Sequence, residues 1–107
     1  MSRPDEDRLA DIIDAADELA EVVEVGHDRF LVDRVRIRAA ERLLEIIGEA
    51  ANSLSDETTG TYPEVAWPDI RRLRILLAHQ YHRVDAEQVW TIASESVPAL
   101  VAQVGSP

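Results

Sequence analysis

Between Asp69 and Asp85 the chain reads DIRRLRILLAHQYHRVD, placing Arg71, Arg72, Arg74, His79, Tyr81, His82 and Arg83 together with no acid between the two terminal aspartates. An imidazole with an ordinary pKa of about 6.5 can give or take a proton at neutral pH. A guanidinium can hold a phosphate, or steady the charge that develops on a phosphorane. The two groups are the minimum equipment for cutting RNA without a metal. A histidine removes or returns a proton as the ribose 2′-hydroxyl attacks the neighbouring phosphate, and the arginine holds the non-bridging oxygens. Arg71, Arg72, His82 and Arg83 are further candidates for phosphate contact.

Helical geometry constrains that chemistry. At ~100° per residue, Arg74 and Tyr81 share a stripe, whereas His79 lies ~140° round from Arg74. A long arginine side chain, a loosened helix end or a second subunit has to close the gap. Arg72, seven residues before His79, aligns better and is a reserve candidate. The bland alternative for Arg74, His79 and Tyr81 is a surface helix end with ordinary ion pairs, the tyrosine ring buried and its hydroxyl wet. His82 with Asp85 and Glu87 suggests a metal site only weakly, because two histidines one turn apart lack a third convergent ligand. No metal and no cofactor is expected.

The elements that must position these residues are helical. A first helix is predicted from about Pro4 to Glu24, with proline and acids suited to a helix start and an apolar stripe through Leu9, Ile12, Ile13, Ala16, Leu19, Ala20 and Val23. Gly26 ends it, His27-Asp28 make a turn, and a lone turn histidine reads as solvent-exposed. A long second helix follows from about Arg29 to Leu54, with core positions Ala40, Leu43, Leu44, Ile47, Ala50, Ala51 and Leu54. Gly48 costs about 1 kcal/mol inside a helix, so a close backbone approach is expected there. Glu49 beside it fits either a surface or an inward-facing acid. Ser55 to Trp67 reads as a loop, with Tyr62, Val65 and Trp67 as a strap across the bundle. Pro68 opens a third helix to about His82, buried through Ile70, Leu73, Leu76 and Leu77. Asp85 with Gln88 resembles a capping box for a fourth helix, with a kink or break expected near Val97 because of Pro98. The expected fold is an all-α antiparallel bundle in a single domain over residues 1–107.

Composition narrows the function classes. The 107 residues carry a net charge of −10, and all 11 basic residues are arginine. Residues 1–28 hold ten acids against Arg3 and Arg8, a net of −8. Acidity on that scale argues against non-specific nucleic-acid binding by the whole surface, so any RNA meets a local patch. The absence of cysteine excludes a disulfide framework and a thiolate zinc site. No apolar run approaches the ~18 residues of a membrane span, and the acidic N-terminus is unlike a signal peptide, so a cytoplasmic protein is expected.

The segment Arg74-ILLA-His79-Q-Tyr81, followed by Val84-Asp85, resembles the R-x4-H-x-Y signature of HepT-like proteins, a branch of the HEPN superfamily. EIIGEAANSLS (Glu45 to Ser55), YPEVAW (Tyr62 to Trp67), the helix from Pro68 and VDAEQVW (Val84 to Trp90) resemble the family in order and spacing, so the likeness covers nearly the whole chain. The resemblance implies a four- to five-helix HEPN bundle forming a homodimer, with Arg/His pairs meeting in a cleft at the dimer interface. It implies a metal-independent endoribonuclease toxin of a type VII toxin–antitoxin system. The implied partner is an MntA-type nucleotidyltransferase antitoxin that transfers AMP from ATP to the motif tyrosine. Carried over, Arg74 and His79 are catalytic and Tyr81 is the modification acceptor, where added charge and bulk would obstruct RNA phosphate. The family commonly has a polar residue, often Asn, directly after the arginine; here it is Ile75, which cannot hydrogen-bond a phosphate. That departure leaves a second class open, a non-catalytic module that binds a nucleotidyltransferase and serves as its substrate.

Overall fold

In the computed structural model, which describes residues 4–78 and 85–105, the chain is helical throughout, with no strand among those residues. The elements in order are α1 (Asp5–Val23), α2 (His27–Leu31), α3 (Arg34–Asn52), α4 (Asp56–Thr61), α5 (Trp67–Ala78) and α6 (Ala86–Thr91). A π-helical turn (Ile92–Ser96) and α7 (Val97–Val104) complete them. The all-α bundle expected from the sequence is what forms.

The predicted first helix matches α1 closely, and Gly26 closes it with a φ of 93°, a left-handed value that favours glycine. The predicted long second helix is instead two. Asp33 leaves the helical region, and its carboxylate accepts from Arg36 N–H at 3.1 Å, an N-cap that starts α3 afresh. His27 and Asp28 accordingly belong to the short helix α2 rather than to a turn. The predicted loop from Ser55 to Trp67 likewise contains α4, capped by Ser55 Oγ accepting from Thr58 N–H. Both misreadings have one cause. Short helices are nucleated by a cap and held by neighbours, so they leave little periodic signal.

α3 is the central element, packing along both α1 and α5. Its buried stripe is Ala40, Leu44, Ile47, Gly48 and Ala51, which meets Ile12, Ala16 and Leu19 of α1 and Ile70 and Leu73 of α5 in one core cluster. A fully buried Leu or Ile contributes roughly 1.5–3 kcal/mol, and Ile12, Leu19, Leu44 and Ile47 are all completely sequestered. Ala20, expected on the apolar stripe of α1, is exposed, and Glu49 is a surface acid. Trp67 is buried as expected of the strap. Its indole N–H donates to the carbonyls of Thr59 and Tyr62, both at 3.1 Å, which pins the end of α4 to the start of α5.

Two arginines close helix ends. Arg36 donates to the carbonyls of Glu21 and Val22 at the end of α1, and Arg71 donates from Nε to the carbonyl of Ala51 near the end of α3. Those last-turn carbonyls have no partner within their own helix, and a guanidinium also suits the negative end of the dipole. Asp85 caps α6 by accepting from Glu87 N–H at 3.0 Å. The break expected near Val97 takes the form of the π-helical turn just before it, with Pro98 placed in the first turn of α7 where its missing N–H costs nothing.

Candidate active site

The candidate site is built on α5, which presents two working stripes. Arg71 and Arg74, one turn apart, run along α3. Asp69, Arg72, Ile75 and Leu76 face away from it, into a groove between α5 and the C-terminal helix.

The first stripe depends on Gly48. A Cβ there would stand 2.6 Å from the backbone N of Arg74, 3.0 Å from Leu73 Cβ and 3.1 Å from the carbonyl O of Ile70. Contacts that short cannot be accommodated, so only glycine allows α5 to lie this close to α3. The close approach expected from the sequence is therefore real, and the backbone it admits is that of Arg74. The Arg74 side chain is half-buried, and its Nε is sequestered with no hydrogen-bond acceptor among the described residues. Buried donors are almost always paired, and leaving one unpaired costs roughly 1–3 kcal/mol, more when the group is charged. The sequestered Nε is itself out of reach of solvent, so an incoming oxyanion would meet the terminal nitrogens of this half-buried guanidinium.

Arg71 spends its Nε on Ala51 and so closes α3. Arg72 is exposed, pairs with Asp69, and lines the groove. Ile75 is 49% exposed at the same groove, a large apolar side chain facing solvent. His79, Tyr81, His82 and Arg83 lie outside the described residues. Of the residues predicted to act, Arg71, Arg72 and Arg74 are thus brought to one helix, Arg74 and Arg72 on different faces of it.

The groove has a volume of ≈ 960 Å³, with Leu73, Leu76, Ile92 and Leu100 among its apolar walls and Glu64, Arg72, Gln88 and Gln103 among its polar ones. Its balance of carboxylate and guanidinium groups does not suit a polyanion.

Comparison with known proteins decides the family. A family model described as "Ribonuclease HepT-like" matches residues 12–106. This chain belongs to the HepT-like ribonuclease family. The HepT-like chain is 35% identical over 101 residues to the "Probable ribonuclease HepT" of Thermococcus cleftensis, covering 94% of this chain and 92% of that one. It is 33% identical over 98 residues to "Putative RNase MJ0127" of Methanocaldococcus jannaschii, covering 92% of this chain and 76% of that one. No solved structure matches it. HEPN-superfamily membership and the all-α architecture agree with this placement, and no helix among the described residues is long and apolar enough to cross a membrane.

One feature of the chain had no precursor in the sequence. His27, expected to be a bare turn residue, has Nε2 2.9 Å from both carboxylate oxygens of Glu87 and Nδ1 3.1 Å from Oδ1 of Asp28. The hydrogen bond to Glu87, then that to Asp28, raises its pKa above the ordinary histidine value. Glu87 lies sixty residues downstream, a pairing that no local pattern could signal.

Proposed function

We propose that this HepT-like protein is a metal-independent endoribonuclease toxin in which Arg74 and His79 act on a ribose-phosphate linkage. The observation that carries this is the half-buried guanidinium of Arg74, whose backbone Gly48 admits against α3 and whose Nε has no acceptor among the described residues. In the proposed reaction His79 takes the 2′-hydroxyl proton as the oxygen attacks phosphorus, and the guanidinium of Arg74 binds the non-bridging oxygens as their charge grows. A proton returned to the departing 5′-oxygen completes the cleavage. His82 and Arg83 contribute secondary phosphate contacts, and Arg71 and Arg72 do so only with the nitrogens not spent on Ala51 and Asp69.

The proposal includes a homodimer. The ~100° spacing read from the sequence puts His79 on the Arg72 stripe and away from Arg74, whose backbone lies against α3. Arg74 of one copy and His79 of another can meet where like helices pair. An apolar groove with exposed Ile75 on its rim supports such pairing.

The test is incubation of purified protein with cellular RNA in EDTA. Fragments are expected from wild type, with a loss on the order of 10²–10⁴-fold in rate for His79→Ala. Identical RNA profiles for wild type and His79→Ala at high protein concentration would reject the nuclease.

A second reading is favoured by Ile75, apolar at a position where the family is commonly polar. In it the protein is a non-catalytic module that binds an MntA-type nucleotidyltransferase and offers Tyr81 for AMP transfer. AMP transfer to Tyr81 is also the proposed means of neutralising the active toxin. Intact mass after incubation with the transferase and ATP is expected to rise by one AMP, and not to rise in Tyr81→Phe. An unchanged wild-type mass counts against AMP transfer in either reading.

A further inference from the structure

The His27 cluster ties two distant helices together at a functionally placed point. Nε2 of the ring meets both oxygens of Glu87 on α6 at 2.9 Å, and Nδ1 meets Asp28 at 3.1 Å. A neutral imidazole carries one N–H, so with it one of these contacts would set a ring lone pair against carboxylate lone pairs. The imidazolium donates on both sides. The ring also stands edge-on to Trp90 of α6, with centroids 5.4 Å apart and planes at 66°. Trp90 in turn packs on Phe30 of α2, at 5.4 Å between centroids, and Phe30 is completely buried.

The position of Glu87 gives this cluster its interest. Residues 79–84, which include His79 and Tyr81, connect Ala78 of α5 to Asp85, and Asp85 caps α6 through the N–H of Glu87. The downstream attachment of the motif segment is therefore the turn that His27 grips. We infer that His27 is a positioning residue, whose imidazolium clamps Glu87 and holds the start of α6 against α2, and whose deprotonation releases that clamp. Its bearing on RNA cleavage rests on the nuclease reading above; the clamp itself does not.

Among the described residues, the charged groups facing the ring are Asp28 on its own helix and Glu87 on α6. Asp85 is engaged in its cap, and at the start of α3 the N-cap Asp33 pairs with Arg36. Both facing groups are anionic and favour the charged ring. A histidine with a raised folded pKa lends stability that is complete below the unfolded value near 6.5 and is lost as pH climbs through the folded value. The clamp is therefore made in mild acid and released toward alkaline pH.

Ring-proton NMR titration of the whole protein tests this, with His27 identified among three histidines by its absence in His27→Gln. The expected result is a His27 pKa above the ordinary value that falls toward it in Glu87→Gln. Amide exchange at Glu87 to Trp90, corrected for intrinsic rates, is expected to be several-fold slower at pH 6 than at pH 8.5 in wild type. That difference should vanish in His27→Gln. A His27 pKa at or below the ordinary value, or an undiminished pH difference in His27→Gln, overturns the clamp. For cleavage, the ratio of wild-type to His27→Gln rates is expected to exceed one at pH 6 and approach one at pH 8.5. A ratio independent of pH overturns the positioning role. Should wild type cleave no RNA, the nuclease reading fails alone, since titration and exchange still decide the clamp.

Discussion

Asp5 shows how much one half-buried helix-start carboxylate can organise. Its Oδ2 accepts from Ser55 N–H at 3.1 Å, from Ser55 Oγ at 2.6 Å and from Thr58 Oγ1 at 2.6 Å, which joins the first turn of α1 to the cap of α4. Those hydrogen bonds, the one from the Ser55 hydroxyl foremost, lower its pKa to about 2. A depressed acid contributes stability above its unfolded value, near 3.8, that is lost as pH falls through the folded one. Asp5→Asn is therefore expected to melt below wild type at pH 6, with the two converging as pH approaches 2. Thermal unfolding followed by circular dichroism across that range checks it, and a gap that persists at the acid end would refute it. Nothing in the sequence around Asp5 marks this role, because its partners come fifty residues later. The sequence did mark Arg74, through its place in R-x4-H, but not the sequestration of its Nε, which has no acceptor among the described residues.

The contact between α3 and α5 sets the position of Arg74, and Gly48 sets that contact. In an isolated helix Gly48→Ala would gain about 1 kcal/mol from propensity. Here the new methyl would press on the Arg74 backbone N and the Ile70 carbonyl, neither of which can rotate away. Overpacking of that kind costs about 1–3 kcal/mol, so the net expected effect is destabilisation with α5 displaced outward. Urea denaturation should show a lower midpoint, and RNA cleavage should fall further than stability alone accounts for. A variant as stable and as active as wild type would remove Gly48 from the site. The sequence exposed Gly48 as an anomaly in a good helix. Which element approached it was a tertiary matter. The short helices α2 and α4 were missed because Asp33 and Ser55 cap helices too brief to show a period.

At the scale of the whole molecule, the charge is segregated and the apolar surface is not fully enclosed. The acids of α1 give that end of the chain most of its net charge, while the arginines concentrate on α3 and α5. Several arginines are used internally, Arg36 and Arg71 on helix ends and Arg38 and Arg42 in ion pairs with Glu41 and Glu45. The arginine-only composition therefore has structural uses apart from any nucleic acid. The groove beside α5 leaves Ile75 exposed, and stable interfaces bury about 800 Å² per partner. If like chains pair there, wild type should elute as a dimer by light scattering and Ile75→Glu should shift it toward monomer, since the interface would then bury an unpaired charge. A monomeric wild type at tens of micromolar would remove the pairing proposed for Arg74 and His79.

Composition and periodicity by themselves determined the helical class and the centrality of α3, because aliphatic stripes at three- and four-residue spacing leave no other stable packing, while the R-x4-H motif made Arg74 a candidate. Gly26, Gly48, Asp85 and Pro98 announced their local consequences for the same reason, each being a residue whose backbone chemistry acts within a turn. Tertiary structure decided what long-range contact alone can decide. It assigned Arg71 to a carbonyl of α3, left Arg74 Nε without an acceptor among the described residues, bonded Asp5 to the cap of α4 and set His27 between two carboxylates. Hydrogen bonds and charge pairs between residues fifty or sixty positions apart carry no signature in the chain, since their geometry comes into being only when the helices pack.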